Sequence, residues 1–136
     1  MANQEQSSLI ADFVGRRIWA VVGASADPAK VGHQVLRVLR AAGYRVYGVN
    51  PHTPIIDGEP TYASLEALPE RPEVVDVVVP PRVTEQIVRQ CAALGLTRVW
   101  LQPGAESPEA LRYCREHGIA VVHDACAMVH RKVWSS

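Results

Sequence analysis

No stretch of this chain approaches the ~20 consecutive apolar residues that a membrane-spanning helix needs, so a membrane-embedded protein is not expected. Cysteine is scarce: Cys91, Cys114 and Cys126 are scattered singly and make no disulfide framework. An excess of charge of either sign is missing as well. The 14 basic and 14 acidic residues cancel, which removes the electrostatic footprint of a nucleic-acid binder or of a protein held on an acidic membrane. The opening Met1-Ala2-Asn3-Gln4-Glu5-Gln6 has neither the basic start nor the apolar middle of a secretory signal, so the expected placement is the cytoplasm. Lysine is nearly absent. Lys30 and Lys132 are the only two, and the remaining basic charge is arginine.

What is present suits one globular domain with a real core: 136 residues, 48% of them hydrophobic and 21% charged. The most informative segment is Val21-Val22-Gly23-Ala24-Ser25. The apolar run Ile18-Trp19-Ala20-Val21-Val22 stops at Gly23, a short loop from Ala24 to Ala29 follows, and helical spacing begins near Lys30. Strand, tight turn and helix in that order make a phosphate site, because the helix start offers unpaired N–H groups and the positive end of its dipole. Gly23 is expected to let the backbone come close to a ligand. Ser25 reads either as a phosphate-binding hydroxyl or as a local turn bond. Lys30 reads equally as a phosphate cation and as a solvated lysine at a helix start.

The remaining pattern alternates. It predicts a lead-in helix over 7–17, a strand over 18–22 and a helix over 31–42 closed by Gly43. A strand over 45–49 follows, then a break at Asn50-Pro51-His52-Thr53-Pro54, a turn at Asp57-Gly58 and a brief helical turn over 62–68. A strand over 74–79, Val-Val-Asp-Val-Val-Val, has the composition of one buried on both faces of a parallel sheet and is stopped by Pro80-Pro81. After it come a helix over 84–94, a strand over 98–101, a helix opened by Ser107-Pro108-Glu109 and ended at His117-Gly118, a strand over 119–122 and a last short helix within 125–133. The implied architecture is α/β: a single-domain, doubly wound, Rossmann-like parallel sheet of about five strands. Residues 1–17 are set apart as the lead-in helix and 18–136 as the nucleotide-type domain. Ligands in such folds sit beyond the carboxyl ends of the strands where strand order reverses.

The dinucleotide fingerprint Gly-x-Gly-x-x-Gly is missing, since the next glycine after Gly23 is Gly32, and strand two ends in Val49-Asn50-Pro51 with no acid to hold a ribose. A P-loop is also missing. An NAD(P)-binding oxidoreductase or redox sensor is therefore the second reading of the fold. His123-x-x-Cys126-x-x-x-His130 has a spacing a metal could use but lacks an evident fourth ligand, so no metal site is assigned. For Cys126 the default is burial. Asp76 is expected at the sheet start, with its carboxylate reaching solvent or a helix N-terminus, and Arg82 in a surface salt bridge. No catalytic constellation emerges, so a binding module is expected ahead of an enzyme. An enzyme on this fold would need His123 or Cys126 near the reacting end of its ligand.

Val22-Gly23-Ala24-Ser25, Pro28-x-Lys30-x-Gly32, Gly43-Tyr44-x-Val46, Val49-Asn50-Pro51, Gly58 with Tyr62, and Trp100-Leu101-Gln102-Pro103-Gly104-Ala105 occur in this order. Through them the chain resembles the small bacterial CoA-binding proteins, single-domain relatives of the N-terminal domain of the succinyl-CoA synthetase α subunit. The resemblance covers roughly Ile18 to Cys126. It implies coenzyme A, or an acyl-CoA, held at the strand ends, with no nucleic-acid or membrane partner. Gly23, Ala24 and Ser25 would border the nucleotide, and Lys30, Val31 and Gly32 would meet its phosphates. Asn50, Pro51 and His52 would form the turn beside it, and Val79, Pro80 and Pro81 would lie along it. The synthetase's phosphorylated histidine belongs to a domain this sequence does not contain, so ligase chemistry is not implied.

Overall fold

The computed structural model describes residues 2–134; Met1, Ser135 and Ser136, which fall in the two expected divisions, lie outside the described residues. Helix α1 (Ala2–Val14) leads into strand β1 (Ile18–Val22), which is followed by α2 (Val31–Ala41) and β2 (Arg45–Val49). A small hairpin of β3 (Ile55–Ile56) and β4 (Glu59–Pro60) and a single 3-10 turn at Leu65–Ala67 precede β5 (Val74–Val77). The chain continues through α3 (Pro81–Leu94), β6 (Arg98–Leu101), α4 (Pro108–Glu116), β7 (Ala120–Val122) and α5 (Ala127–His130). The five main strands form one parallel sheet in the order β2-β1-β5-β6-β7.

Alternate residues of each strand feed two cores, as the twofold repeat of a strand requires. Trp19, Val21, Val46, Val74, Trp100 and Val122 face α1, α2 and α5, together with Phe13 and Leu36. Ala20, Val22, Val75, Val77, Val99 and Leu101 face α3 and α4. The first core is aromatic: Trp100 lies 5.8 Å from Trp19 and 6.3 Å from Phe13 between ring centroids. Helix α1 is thus packed onto the sheet through Phe13, which is fully buried.

The structure corrects several boundaries. Strand β5 ends at Val77, and α3 begins at Pro81, three residues ahead of the expected start at Thr84. The proline pair does stop the strand, but Pro80 is also the N-cap and Pro81 the first helical residue, where a missing N–H costs no hydrogen bond. Tyr62 is extended rather than helical. It forms a parallel bridge with Val49, donating its N–H to Gly48 O at 2.9 Å and accepting the Asn50 N–H at 2.9 Å. Asp57 and Gly58 both have positive φ, 51° and 77°, as a two-residue hairpin turn of type I′ demands.

The largest correction concerns Asp76. Its carboxylate reaches neither solvent nor a helix end: the residue is fully buried, in register between Val21 and Trp100. Among the described residues neither carboxylate oxygen has a hydrogen-bond partner. The cause is topological. The acid expected at the sheet start lies within the paired stretch of the middle strand, covered by helices on both faces. Burial drives the Asp76 pKa well above the usual carboxylate range, which favours the neutral form of the acid.

Candidate functional site

Strand order reverses between β1 and β5. Helix α2 leaves β1 for one face and α3 leaves β5 for the other, so the first turns of two helices flank a crevice above the sheet. Gly23 sits at its floor. Its N–H donates to Val49 O at 3.1 Å, and the Val78 N–H donates to Val22 O at 2.8 Å, which ties the ends of β2, β1 and β5 together. Gly23 has φ +97°, and a Cβ there would stand 2.3 Å from Val78 O. A Cβ on Gly32 would stand 2.0 Å from Gly23 O. These two glycines let protein segments meet: the loop rests on the end of β5, and the first turn of α2 rests on the loop. The close approach expected of a ligand at Gly23 is made by the protein's own backbone, because the missing side chain points down toward β5.

The loop orders itself with its own side chains. Ser25 Oγ accepts the Asp27 N–H at 3.1 Å, and Asp27 Oδ1 accepts the Ala29 N–H at 3.0 Å. The local bond is therefore the one Ser25 makes, although its hydroxyl hydrogen remains available to donate. The Lys30 N–H donates to Asp27 O at 3.0 Å. Among the described residues the N–H groups of Ser25, Ala26, Val31 and Gly32 have no partner. They are the donors this end of α2 can offer an anion. Lys30 is the N-cap of α2, exposed, with an extended backbone. No ion pair engages it among the described residues.

The opposite wall differs in chemistry. Pro80 and Pro81 carry no N–H, and the Val83 and Thr84 N–H groups both donate to Pro80 O, at 2.9 and 3.0 Å. Helix α3 thus presents few donors. It presents exposed Pro80 and Pro81, the half-buried Val79 and Val83, which is 37% exposed. Val31 across the crevice is 45% exposed. Arg82 projects from the same turn. The expected salt bridge is not made, since no acid lies within ion-pair distance among the described residues.

Asn50 joins the crevice to the turn after β2. Its Nδ2 donates to Ala24 O at 2.8 Å and its Oδ1 accepts the His52 N–H at 2.7 Å. Ala24 is fully buried, so only its backbone borders the crevice. Pro51 and His52 are exposed. The structure therefore brings Gly23, Ala24, Gly32, Asn50 and Val79 into one contiguous floor, with Ser25, Lys30 and Val31 on one rim and Pro80 and Pro81 on the other. Sequence reasoning missed His33, whose Nε2 lies 2.9 Å from Asp57 Oδ2, off the line of a good hydrogen bond. The available signal was a histidine three residues before the core residue Leu36 on the same helical face.

The other candidates disperse. His123 Nδ1 lies 2.7 Å from Asp124 Oδ2, and the His130 ring packs 6.2 Å from that of Trp100. Among the described residues no three metal-ligating side chains converge. Cys126 is half-buried rather than buried, with Gln102 Nε2 at 3.4 Å from its sulfur. Burial pushes the Cys91 thiol up to about 12 and that of Cys114 to about 11, which leaves both as unreactive core residues. A cavity of about 540 Å³ lies against α1, lined by Gln4, Glu5, Ser8 and Leu9. Among the described residues that line it, the one charged group is the acid Glu5, and none belongs to the crevice. No helix among the described residues is long and apolar enough to cross a membrane.

Comparison with known proteins shows the family of the chain. Residues 17–132 match a family model described as a CoA binding domain. The ADP-forming acetate–CoA ligase I of Archaeoglobus fulgidus is 28% identical over 120 residues, which are 81% of this chain and 18% of the ligase. The uncharacterized protein YneT of Bacillus subtilis is 30% identical over 117 residues, 84% of each chain. A conserved hypothetical protein of Pyrococcus furiosus superposes with a TM-score of 0.80 at 39% identity, over 83% of this chain and 97% of its own. The chain therefore spans a small part of the ligases it matches and most of the length of the single-domain relatives.

Proposed function

The chain belongs to the CoA-binding domain family, and on that premise we propose that it holds coenzyme A or an acyl-CoA in the crevice between β1 and β5. The observation that carries the reading is the set of N–H groups at Ser25, Ala26, Val31 and Gly32 and the Lys30 ammonium beside them, which have no partner among the described residues. A phosphate-bearing ligand suits such a cluster of donors at a helix start. The two walls orient it. Phosphates belong on the donor-rich α2 side, and the less polar arm of the cofactor belongs along Val79, Pro80 and Pro81.

Binding, and not turnover, is the proposed activity. The ligase reaction belongs to the relatives that carry that name, and the likeness to the succinyl-CoA synthetase α subunit is carried only as far as the cofactor. The binding unit is the stretch from Ile18 onward, with α1 as its lead-in helix. Asn50 argues against a dinucleotide, since its Oδ1 and one amide hydrogen are already engaged and it carries no charge for a ribose.

The test is native mass spectrometry of the purified protein for retained cofactor, followed by thermal shift with CoA, acetyl-CoA, dephospho-CoA, NAD, NADP and ATP. CoA and acetyl-CoA are expected to stabilise most, and dephospho-CoA less. Stabilisation by NAD or NADP alone would move the assignment to the redox reading.

A further inference from the structure

We propose that the His33–Asp57 pair is a latch that fixes the anion-binding loop, with both residues positioning the cofactor site without touching the cofactor. The inference rests on the CoA reading for its consequence, and on geometry for the latch itself. The β3–β4 hairpin has two residues per strand, too few to hold its own place. Two side chains pin it. Ile56, 1% exposed, enters the core that contains Leu36 and Ala24. Asp57, at the turn, brings Oδ2 to 2.9 Å from His33 Nε2.

The residue types fit this role. Asp57 has φ +51°, a region that Asp and Asn tolerate better than other side chains, and Asp adds the charge that answers an imidazole. His33 is 4% exposed with its Nε2 wholly buried and in no well-aligned hydrogen bond, so the Asp57 carboxylate 2.9 Å away answers it by charge and proximity. His33 is the third residue of α2, with its N–H on Lys30 O at 3.1 Å. It directly follows Val31 and Gly32, whose N–H groups have no partner among the described residues. Asn50 Nδ2 on Ala24 O is a second tie between the same two segments. Loop 25–32 and excursion 50–61 thus move as one body.

The experiment compares wild type, His33→Ala, Asp57→Ala and the double variant. Each is titrated with CoA by calorimetry, and hydrogen exchange is followed in the unliganded proteins. Each single substitution is expected to weaken CoA roughly five- to tenfold, the double no further, and His33→Gln, which keeps a donor of similar reach, to recover most of the loss. Exchange is expected to quicken in 25–32 together with 54–61. Losses that multiply in the double variant, or faster exchange confined to 54–61, would overturn the latch. Asp57 lies at an exposed turn, so Asp57→Ala decides the matter even if His33→Ala does not fold. If wild type binds no CoA, the cofactor reading fails, and the exchange pattern alone then upholds or overturns the latch.

Discussion

The side-chain amide of Asn50 spans two loops: Nδ2 donates to Ala24 O at 2.8 Å while Oδ1 accepts the His52 N–H at 2.7 Å. A side chain with both ends in use acts as a strut. Asn50→Asp keeps the size but turns the donor facing Ala24 O into an acceptor, so two oxygens would oppose each other. The expected result is a loss of about 1–3 kcal/mol in urea unfolding and at least a tenfold weaker response to CoA. An unchanged CoA affinity in a folded variant would mean that the strut does not shape the site.

Gly32 is a sharper case, because the group it would strike is backbone. An alanine Cβ would stand 2.0 Å from Gly23 O, and neither segment is a flexible side chain that can swing away. Gly32→Ala is expected to cost upward of about 1–3 kcal/mol, the usual range for overpacking, and to abolish CoA binding. Gly15→Ala is the control. Its Cβ would meet Ala11 O at 3.4 Å, so the stability should stay within about 0.5 kcal/mol of wild type.

The sheet was legible because most of its strands are apolar runs stopped by glycine, asparagine or proline, and the helices carry their own end signals in Gly43, Gly95 and Ser107. The α3 start was misread because a proline pair can end a strand and begin a helix at once. Asp76 was misread because a local pattern does not say which part of a strand its neighbours cover. A valine-flanked acid looks the same at the open start of a strand and in its covered middle. Gly23 and Gly32 stand out in the sequence, but spacing alone does not reveal that their missing side chains make room for Val78 O and Gly23 O. The His33–Asp57 contact joins residues 24 positions apart, across a hairpin whose docking only the folded chain defines.

Two opposite charges bracket the proposed phosphate site. Lys30 is the unpaired N-cap cation, which stands unfavourably at the positive end of α2 unless an anion is present. Asp27, three residues earlier, holds the Ala29 N–H through its carboxylate. Lys30→Ala is expected to weaken CoA binding two- to fivefold, the range of about 0.3–1 kcal/mol for an exposed charge near a helix end. Asp27→Asn keeps an oxygen for the Ala29 N–H and removes a charge that repels phosphate, so it should tighten binding by a similar factor. Both differences should shrink between 0.05 and about 0.5 M salt as screening shortens toward a few ångströms. Calorimetry at the two salt concentrations checks this, and equal affinities for Lys30→Ala and wild type would remove the lysine from the site.

The buried acid in the sheet sets a slope of stability with pH. A carboxyl whose pKa is higher folded than unfolded takes up a proton on folding. Its contribution is least unfavourable below the unfolded value of about 3.9 and worsens as the pH rises toward the folded value, until the fold must bury a charge or spend free energy keeping the proton. Asp76 has that sign, since burial raises its pKa. Asp12 has the opposite sign: its hydrogen bond from Arg98, helped by Arg16, holds its pKa low, so its contribution is lost as the pH falls. Asp76→Val places a third valine beside Val75 and Val77 and deletes both unpartnered oxygens. At pH 7 the variant is expected to be more stable by about 1–3 kcal/mol, the cost of an unsatisfied buried polar group. The gain should narrow as the pH is lowered toward 4, where the wild-type proton is free of cost. Urea unfolding at intervals from pH 4 to pH 8 measures the gap. Parallel stability curves would show that Asp76 is ionised equally in both states, and a less stable variant would show that its carboxyl makes a contact worth more than its burial costs.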